Sequence, residues 1–464
     1  MRFKKQALFL AFILAFLTTR SQPVSAKVSW PSGPGVSSDA AILMNADTGT
    51  VLFSKNINQQ MYPASITKLM TVLLVLENCT LDQTVTFSRD AVFNIEYGSN
   101  HIGMTVGEQI TVEQALYGIL LESANEVCNG VGELVAGSQD AFAEMMTARA
   151  KELGCKHTHF TNANGLHNAD HYTTAYDMAL IAKECLKFED FRRIAGSKSY
   201  QLSPTNNTPT VRYLNNQHKM FPGKDYAYEG YECGKTGFTD QALNTLVSIA
   251  KRGDLELICV TLHGNKTHYP DTKALFDFGF KNFKNVAISK LDENLKTDHY
   301  ITSETVLKDF VGEDTDYSFE YDENAIVTMP NTASFSDFVP KLTDLHAEEY
   351  TLTANIKYYY GEDVMGVLPV TLKKKEPAPS PVENLGDPGS IVFLILKILG
   401  VIILVVLVAY VLLYIYAKNE LKKRRRLRRR QHDDDEPERR RRPDHDRERN
   451  HRNHRDHNRE RDRY

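Results

Sequence analysis

The sequence predicts an α+β chain: an antiparallel sheet flanked by helices, then a small all-β domain, a C-terminal transmembrane helix and a disordered tail. Three patterns carry this reading. Strand-like segments at Ala40–Asn45 and from Lys235 to Val260 bracket a stretch, Leu81 to Leu180, whose apolar residues recur mainly at helical spacing. Runs rich in β-branched and aromatic residues, broken by turns, occupy 317–360. Residues 391–416 are almost wholly apolar, longer than the roughly 20 residues a spanning helix needs.

Taken in order, residues 1–26 read as a signal peptide. Arg2, Lys4 and Lys5 supply the positive start, Ala7 to Leu17 the apolar run, and Val24-Ser25-Ala26 the small-residue cleavage site, with Lys27 as the mature start. The domain from 27 to 284 begins with an irregular Pro/Gly/Ser-rich lead-in to residue 39. Ala40–Asn45 and Thr50–Ser54, joined by Ala46-Asp47-Thr48-Gly49, form a hairpin with suitable turn chemistry. Pro63, followed by Ile66, Leu69, Met70, Leu73 and Leu74, marks a helix start. A helix over Thr111–Leu121 delivers Ser123 at or beyond its end, and Asp271 to Phe280 closes the domain as a helix.

Residues 285–375 read as a small β-rich domain without a catalytic constellation, either a spacer or a partner-binding module. A Pro-rich linker spans 376–390. Within the span at 391–416, Lys397 is the one charge and lies near enough to one end to snorkel. Lys418, Lys422, Lys423 and Arg424–Arg426 follow at once, which places the tail from 417 to 464 in the cytoplasm and the rest of the chain outside. The tail lacks apolar residues and is expected to be disordered. Its basic run serves as a topology signal and a solvated tail; no nucleic-acid partner is expected.

Overall composition, 42% hydrophobic and 25% charged, is that of a globular protein. The net charge of −4 combines an Arg-rich tail with an acidic remainder. Six cysteines in an exported chain permit disulfides, but no spacing names a pair; small buried apolar residues are the favoured reading. His157, His159, His167 and His171 match no zinc spacing, so no metal and no cofactor are expected.

Chemistry is concentrated in three short motifs: Ser65-Ile66-Thr67-Lys68, Ser123-Ala124-Asn125 and Lys235-Thr236-Gly237. A serine hydroxyl needs a neighbouring base to become a nucleophile, and positions i and i+3 of a helix share a face, so Ser65 and Lys68 meet. Lys68 serves as base only when neutral, and burial or a like charge lowers a lysine pKa. Lys235 could supply that like charge, or could attract a substrate carboxylate with help from the Thr236 hydroxyl. Gly237 lets substrate backbone approach the strand. The Phe238 N–H, with a free amide in the first turn at Ser65, would bind an oxyanion. Ser123 would relay a proton between Lys68 and the leaving group, and Asn125 would hold the substrate amide.

These motifs resemble those of the penicillin-binding and serine β-lactamase superfamily, and within it the low-molecular-mass D-alanyl-D-alanine carboxypeptidases. The N-terminal hairpin, Gly98-Ser99-Asn100, Asn162–Leu166 and His171–Asp177 strengthen the likeness, which covers about 38–280 well and 285–375 in outline. It implies a β-lactamase/transpeptidase-like fold, an acyl-enzyme on Ser65 with Lys68 as base, and Ser123 and Asn125 completing the second motif. Lys235 and Thr236 would hold the terminal carboxylate. The substrates implied are peptidoglycan stem peptides ending in D-Ala-D-Ala, with β-lactams acylating Ser65 as mimics. Ala124 stands where glycine is common, and a full membrane span replaces the amphipathic surface helix in which such enzymes often end. Two alternatives compete: a β-lactamase on the same scaffold, for which no convincing Glu-x-x-Leu-Asn is present, and a non-catalytic penicillin-sensing or wall-binding protein.

Overall fold

A computed structural model of the chain describes residues 30–297, 299–312, 316–375 and 388–432. The signal peptide, most of the linker and the tail beyond residue 432 lie outside the described residues.

Residues 30–375 form one compact unit built on a five-stranded antiparallel sheet. Its strands are β1 (Ala40–Asn45), β2 (Val51–Lys55), β3 (Tyr231–Thr239), β4 (Leu243–Arg252) and β5 (Leu255–Gly264), in the spatial order β2-β1-β5-β4-β3. The predicted β1–β2 hairpin is present. Asn45 Oδ1 accepts from the amides of Asp47 and Thr48 and so makes the turn with its own side chain. Every residue of β1 is buried because the sheet is covered on both faces. Ile42 and Met44 point into the larger core, and Ala41 and Leu43 into the smaller one beneath the closing helix.

The larger core is made by helices. A four-residue 3-10 turn, Ala64–Thr67, leads into α1 (Lys68–Asn78), so Ser65 sits in this tighter turn just ahead of the helix. Helix α2 (Val112–Leu121) starts at Thr111 with a complete capping box to Gln114. Three residues, Glu122 to Ala124, separate its end from α3 (Asn125–Ala136). Helix α4 (His268–Asn282) packs Leu275, Phe276 and Phe278 on the opposite face of the sheet, extending the predicted 271–280 at both ends.

The segment after α4 encloses a core of its own, with Ile356, Tyr358, Met365 and Leu368 at its centre. Its four-stranded sheet runs β7-β11-β10-β9, from β7 (Tyr317–Tyr321), β9 (Val339–Ala347), β10 (Thr351–Tyr360) and β11 (Asp363–Lys374). A two-stranded pair joins β6 (Phe283–Ala287) to β8 (Ile326–Pro330). Short helices at Ile288–Leu291, His299–Ser303 and Thr305–Val311 precede the sheet, and the sequence reading did not include them. Thr48 Oγ1 meets Thr328 Oγ1 at 2.9 Å, and Asn45 Nδ2 donates to Asn285 Oδ1, so the turn of the β1–β2 hairpin is fastened to this segment.

The six cysteines are all free; Cys79 is half-buried and the others are buried. In the second unit, α5 (Pro388–His432) contains a stretch, Val392–Glu420, long and apolar enough to cross a membrane.

Candidate active site

The three motifs converge. Ser65 comes from the 3-10 turn, Lys68 from the first residue of α1, Ser123 and Asn125 from the α2–α3 junction, and Lys235 to Phe238 from β3, an edge strand of the sheet. Ser65, Ser123, Asn125, Thr236, Gly237 and Phe238 line one cleft of about 710 Å³. Phe238, expected to matter only through its backbone, also places a largely exposed ring at this cleft.

Lys68 is wholly buried. Its Nζ lies 3.1 Å from Ser65 Oγ, 2.7 Å from Asn125 Oδ1 and within hydrogen-bond distance of the Asn164 carbonyl. A neutral amine has two N–H groups and one lone pair. Asn125 Oδ1 and the Asn164 carbonyl can only accept, so they take the two N–H groups and leave the lone pair facing the Ser65 hydroxyl. Burial is the chief cause that lowers the Lys68 pKa, to about 8. The expected like-charge effect instead falls on Lys235: burial first, and then the neighbouring Lys68, lower it to about 7.

Ser123 is placed differently from the sequence reading. Its Oγ accepts from Lys235 Nζ at 3.1 Å, whereas the amine of Lys68 is engaged by Ser65, Asn125 and Asn164. Ser123 also has φ 62, a left-handed backbone that costs a non-glycine residue energy and aims its hydroxyl into the cleft. The second amine contact of Lys235 is the carbonyl of Thr236 at 2.9 Å.

Gly237 lines the cleft and also has a packing role. A Cβ there would lie 2.4 Å from Thr245 Oγ1 and 2.8 Å from the Ser65 amide nitrogen. Its bare Cα is what allows β3 to pack against the nucleophile turn.

Sequence reasoning missed the loop that holds Lys68. Asn162–Leu166 was noted only for its family likeness. Here Asn162 Oδ1 and Asn164 Oδ1 accept from the amides of Gly165 and Leu166, closing the turn that presents the Asn164 carbonyl to Lys68. Thr71 Oγ1 donates to the neighbouring Ala163 carbonyl, and Asn164 Nδ2 donates to Asn129 Oδ1. Gly165, at φ +81, lies so close to Ala64 that a Cβ would strike the Ala64 carbonyl. An Asn-x-Asn-Gly stretch signals a turn, but nothing in it says which carbonyl the turn will aim. Of the histidines checked as ligands, His171 is buried between Thr67 and Thr161 and held neutral by burial, with its pKa lowered to about 3, while His167 lines the cleft.

The geometry has counterparts. The sequence profile of the D-alanyl-D-alanine carboxypeptidases, peptidase family S11, matches residues 27–266. D-alanyl-D-alanine carboxypeptidase DacF of Bacillus subtilis is 34% identical over 262 residues, which is 55% of this chain and 65% of that protein, so the match spans just under two thirds of its length. D-alanyl-D-alanine carboxypeptidase DacB2 of Mycobacterium tuberculosis is 30% identical over 257 residues, 54% of this chain and 84% of that protein. Among solved structures, the Streptomyces K15 DD-transpeptidase superimposes with a TM-score of 0.50 at 26% identity, covering 54% of this chain and 100% of that one.

Proposed function

The chain belongs to the D-alanyl-D-alanine carboxypeptidase family, and from that premise we propose that it removes the terminal D-alanine from peptidoglycan stem peptides through an acyl-enzyme on Ser65. The observation that carries the reading is the amine of Lys68, whose two fixed acceptors leave its lone pair for the Ser65 hydroxyl.

The steps follow from the placements. Lys235 and Thr236 take the terminal carboxylate of the peptide, and the arriving anion favours the charged form of Lys235. That charge in turn favours neutral Lys68. Lys68 removes the Ser65 proton as Oγ attacks the penultimate carbonyl carbon. The backbone N–H groups of Ser65 and Phe238 receive the developing oxyanion, and Asn125 holds the substrate amide. The C–N bond breaks while Ser123, hydrogen-bonded to Lys235, gives its hydroxyl proton to the departing amine, which leaves as D-alanine; the proton that Lys68 took from Ser65 replaces the one lost from the Ser123–Lys235 pair, so Lys68 is again neutral for the second half of the reaction. Water then attacks the ester and returns the proton to Ser65. β-Lactams would enter the same path as far as the acyl-enzyme.

The mature chain is read as membrane-anchored by the apolar stretch of α5, with the catalytic domain outside and the basic tail in the cytoplasm. Residues 285–375 then set the position of the catalytic domain or receive a partner. Protease added to sealed cells would remove the 30–375 unit and spare an epitope placed on the tail; the reverse pattern would refute this orientation.

The test of the chemistry is intact mass after incubation of the full chain, in detergent, with a fluorescent penicillin. A stable adduct on Ser65 that is absent from Ser65→Ala, together with D-alanine release from a pentapeptide, supports the proposal. Rapid penicillin hydrolysis would mark a β-lactamase, and no adduct on folded protein a binding role.

A further inference from the structure

One wall of the cleft is the segment 96–100, which has no regular secondary structure and is held from behind by α3. The chain leading into the segment is fixed by Asn129, whose Nδ2 donates to the carbonyls of Ala91 and Asn94 at 3.3 and 3.0 Å. Its middle is fixed by the Asn125 amide, which donates to the Asn100 carbonyl at 2.8 Å. The chain just beyond it is fixed by Glu126, whose Oε1 accepts from the amides of Ile102 at 2.8 Å and Met104 at 3.4 Å.

Glu126 is 1% exposed, and its second oxygen, Oε2, is buried without a hydrogen-bond partner. Burying a carboxylate is costly unless hydrogen bonds offset it, and the amides of Ile102 and Met104 supply such bonds to Oε1. Oε1 is the working atom, and the two amides it receives belong to the strand of chain that follows the wall. The same first turn of α3 carries Asn125, which binds Lys68. One helix end therefore positions both the base and the surface that faces the substrate.

We propose that Glu126 is a positioning residue that sets the affinity for the stem peptide by fixing the cleft wall through the Ile102 and Met104 amides, a role that rests on the carboxypeptidase reading above. The acceptor oxygen matters and the charge does not. Glu126→Gln keeps the acceptor and puts an NH2 where the unbonded oxygen stands. Glu126→Asp keeps the charge and withdraws the acceptor by one methylene. Glu126→Ala leaves two buried amides without an acceptor.

The experiment measures KM and kcat for D-alanine release from a D-Ala-D-Ala peptide with the full chain in detergent. For Glu126→Ala the expected result is a rise in KM of about tenfold with kcat little changed, the effect of leaving buried donors unpaired. Glu126→Gln should restore KM to within about twofold of the native value, and Glu126→Asp should fall between them. If the alanine variant fails to fold, the Gln and Asp pair still decides. Asp equal to or better than Gln overturns the proposal, because charge would then be what counts. So does a fall in kcat at unchanged KM, or an alanine variant with native KM. A native chain that releases no D-alanine overturns the carboxypeptidase reading and this proposal together; an active native chain with the wrong order of variants overturns this proposal alone.

Discussion

Gly237 and Ser65 touch through their backbones: a Cβ added to Gly237 would stand 2.8 Å from the Ser65 amide nitrogen and 3.1 Å from that of Ile66. The third motif is thus the seat against which the nucleophile turn rests. Thr245 Oγ1, at 2.4 Å, belongs to a side chain, but the Ser65 and Ile66 atoms are backbone and cannot yield by a rotamer change. Gly237→Ala should displace the turn that carries Ser65 and slow penicillin acylation by about a hundredfold, the scale of a misplacement near 1 Å. Stopped acylation kinetics with an unchanged circular dichroism spectrum would show it, and native kinetics would mean that β3 has room to retreat.

The Lys68 amine should give the acylation rate its pH dependence. Only the neutral amine can take the Ser65 proton, and burial brings its pKa to about 8. The rate should therefore rise with pH through about 8 and level off above it. A bound carboxylate keeps Lys235 charged beside Lys68, so the limb in kcat should lie at lower pH than the limb in kcat/KM, which reports the free enzyme. A flat profile from about pH 6 to about pH 9, a range on either side of that pKa of about 8, would remove Lys68 as the base.

How much of this was readable in the sequence depends on what each residue needs. The Ser65–Lys68 pair was readable because helical spacing fixes which residues share a face, and the 3-10 turn kept that neighbourhood. The β1–β2 hairpin followed from turn chemistry, and the strands expected from Lys235 to Val260 are present and extend from Tyr231 to Gly264. The contact of Ser123 with Lys235 rather than Lys68 was not readable, since it depends on a left-handed backbone at Ser123. Neither was the Asn164 carbonyl, because a backbone oxygen has no signature in the side-chain code. The helices at 288–311 are too short to show a period, and their residues bury into a β core that supplies their stability.

Stability should move against activity at Lys68. In the unfolded chain the amine has its ordinary pKa of 10.5, and folding lowers it to about 8. Between those values the unfolded chain holds more protons, so stability rises with pH across about 8 to 10.5, and the penalty for burying the charge is greatest below 8. Lys68→Met should abolish acylation and, at pH 7, raise stability by as much as about 3 kcal/mol, with the gain shrinking toward pH 10. Urea melts of the two proteins at pH 7 and pH 10 would check the sign. A methionine variant less stable at both would mean that the three hydrogen bonds of Lys68 outweigh its burial.

The β-rich segment after α4 should be separable from the chemistry by a single hydroxyl. Asp292 is 1% exposed, and its Oδ2 accepts from Tyr358 at 2.8 Å and from Tyr300, while Oδ1 accepts from the Asn294 amide. This carboxylate joins the helical lead-in at Asp292 and Tyr300 to the C-terminal end of β10, and Tyr358 is among the largest fully buried side chains of the described residues. Tyr358→Phe keeps the ring and its packing but removes one charge-assisted donor from a buried acceptor, which costs about 1.5–3 kcal/mol. The core around Tyr358 is distinct from those that hold Ser65, Lys68 and Lys235. Penicillin acylation should therefore proceed at the native rate below the melting transition, while hydrogen exchange accelerates in β10 and β11 and not in β4 or β5. Slowed acylation in folded protein, or exchange that rises equally in both sheets, would mean that the two cores unfold as one and that residues 285–375 help to build the catalytic unit.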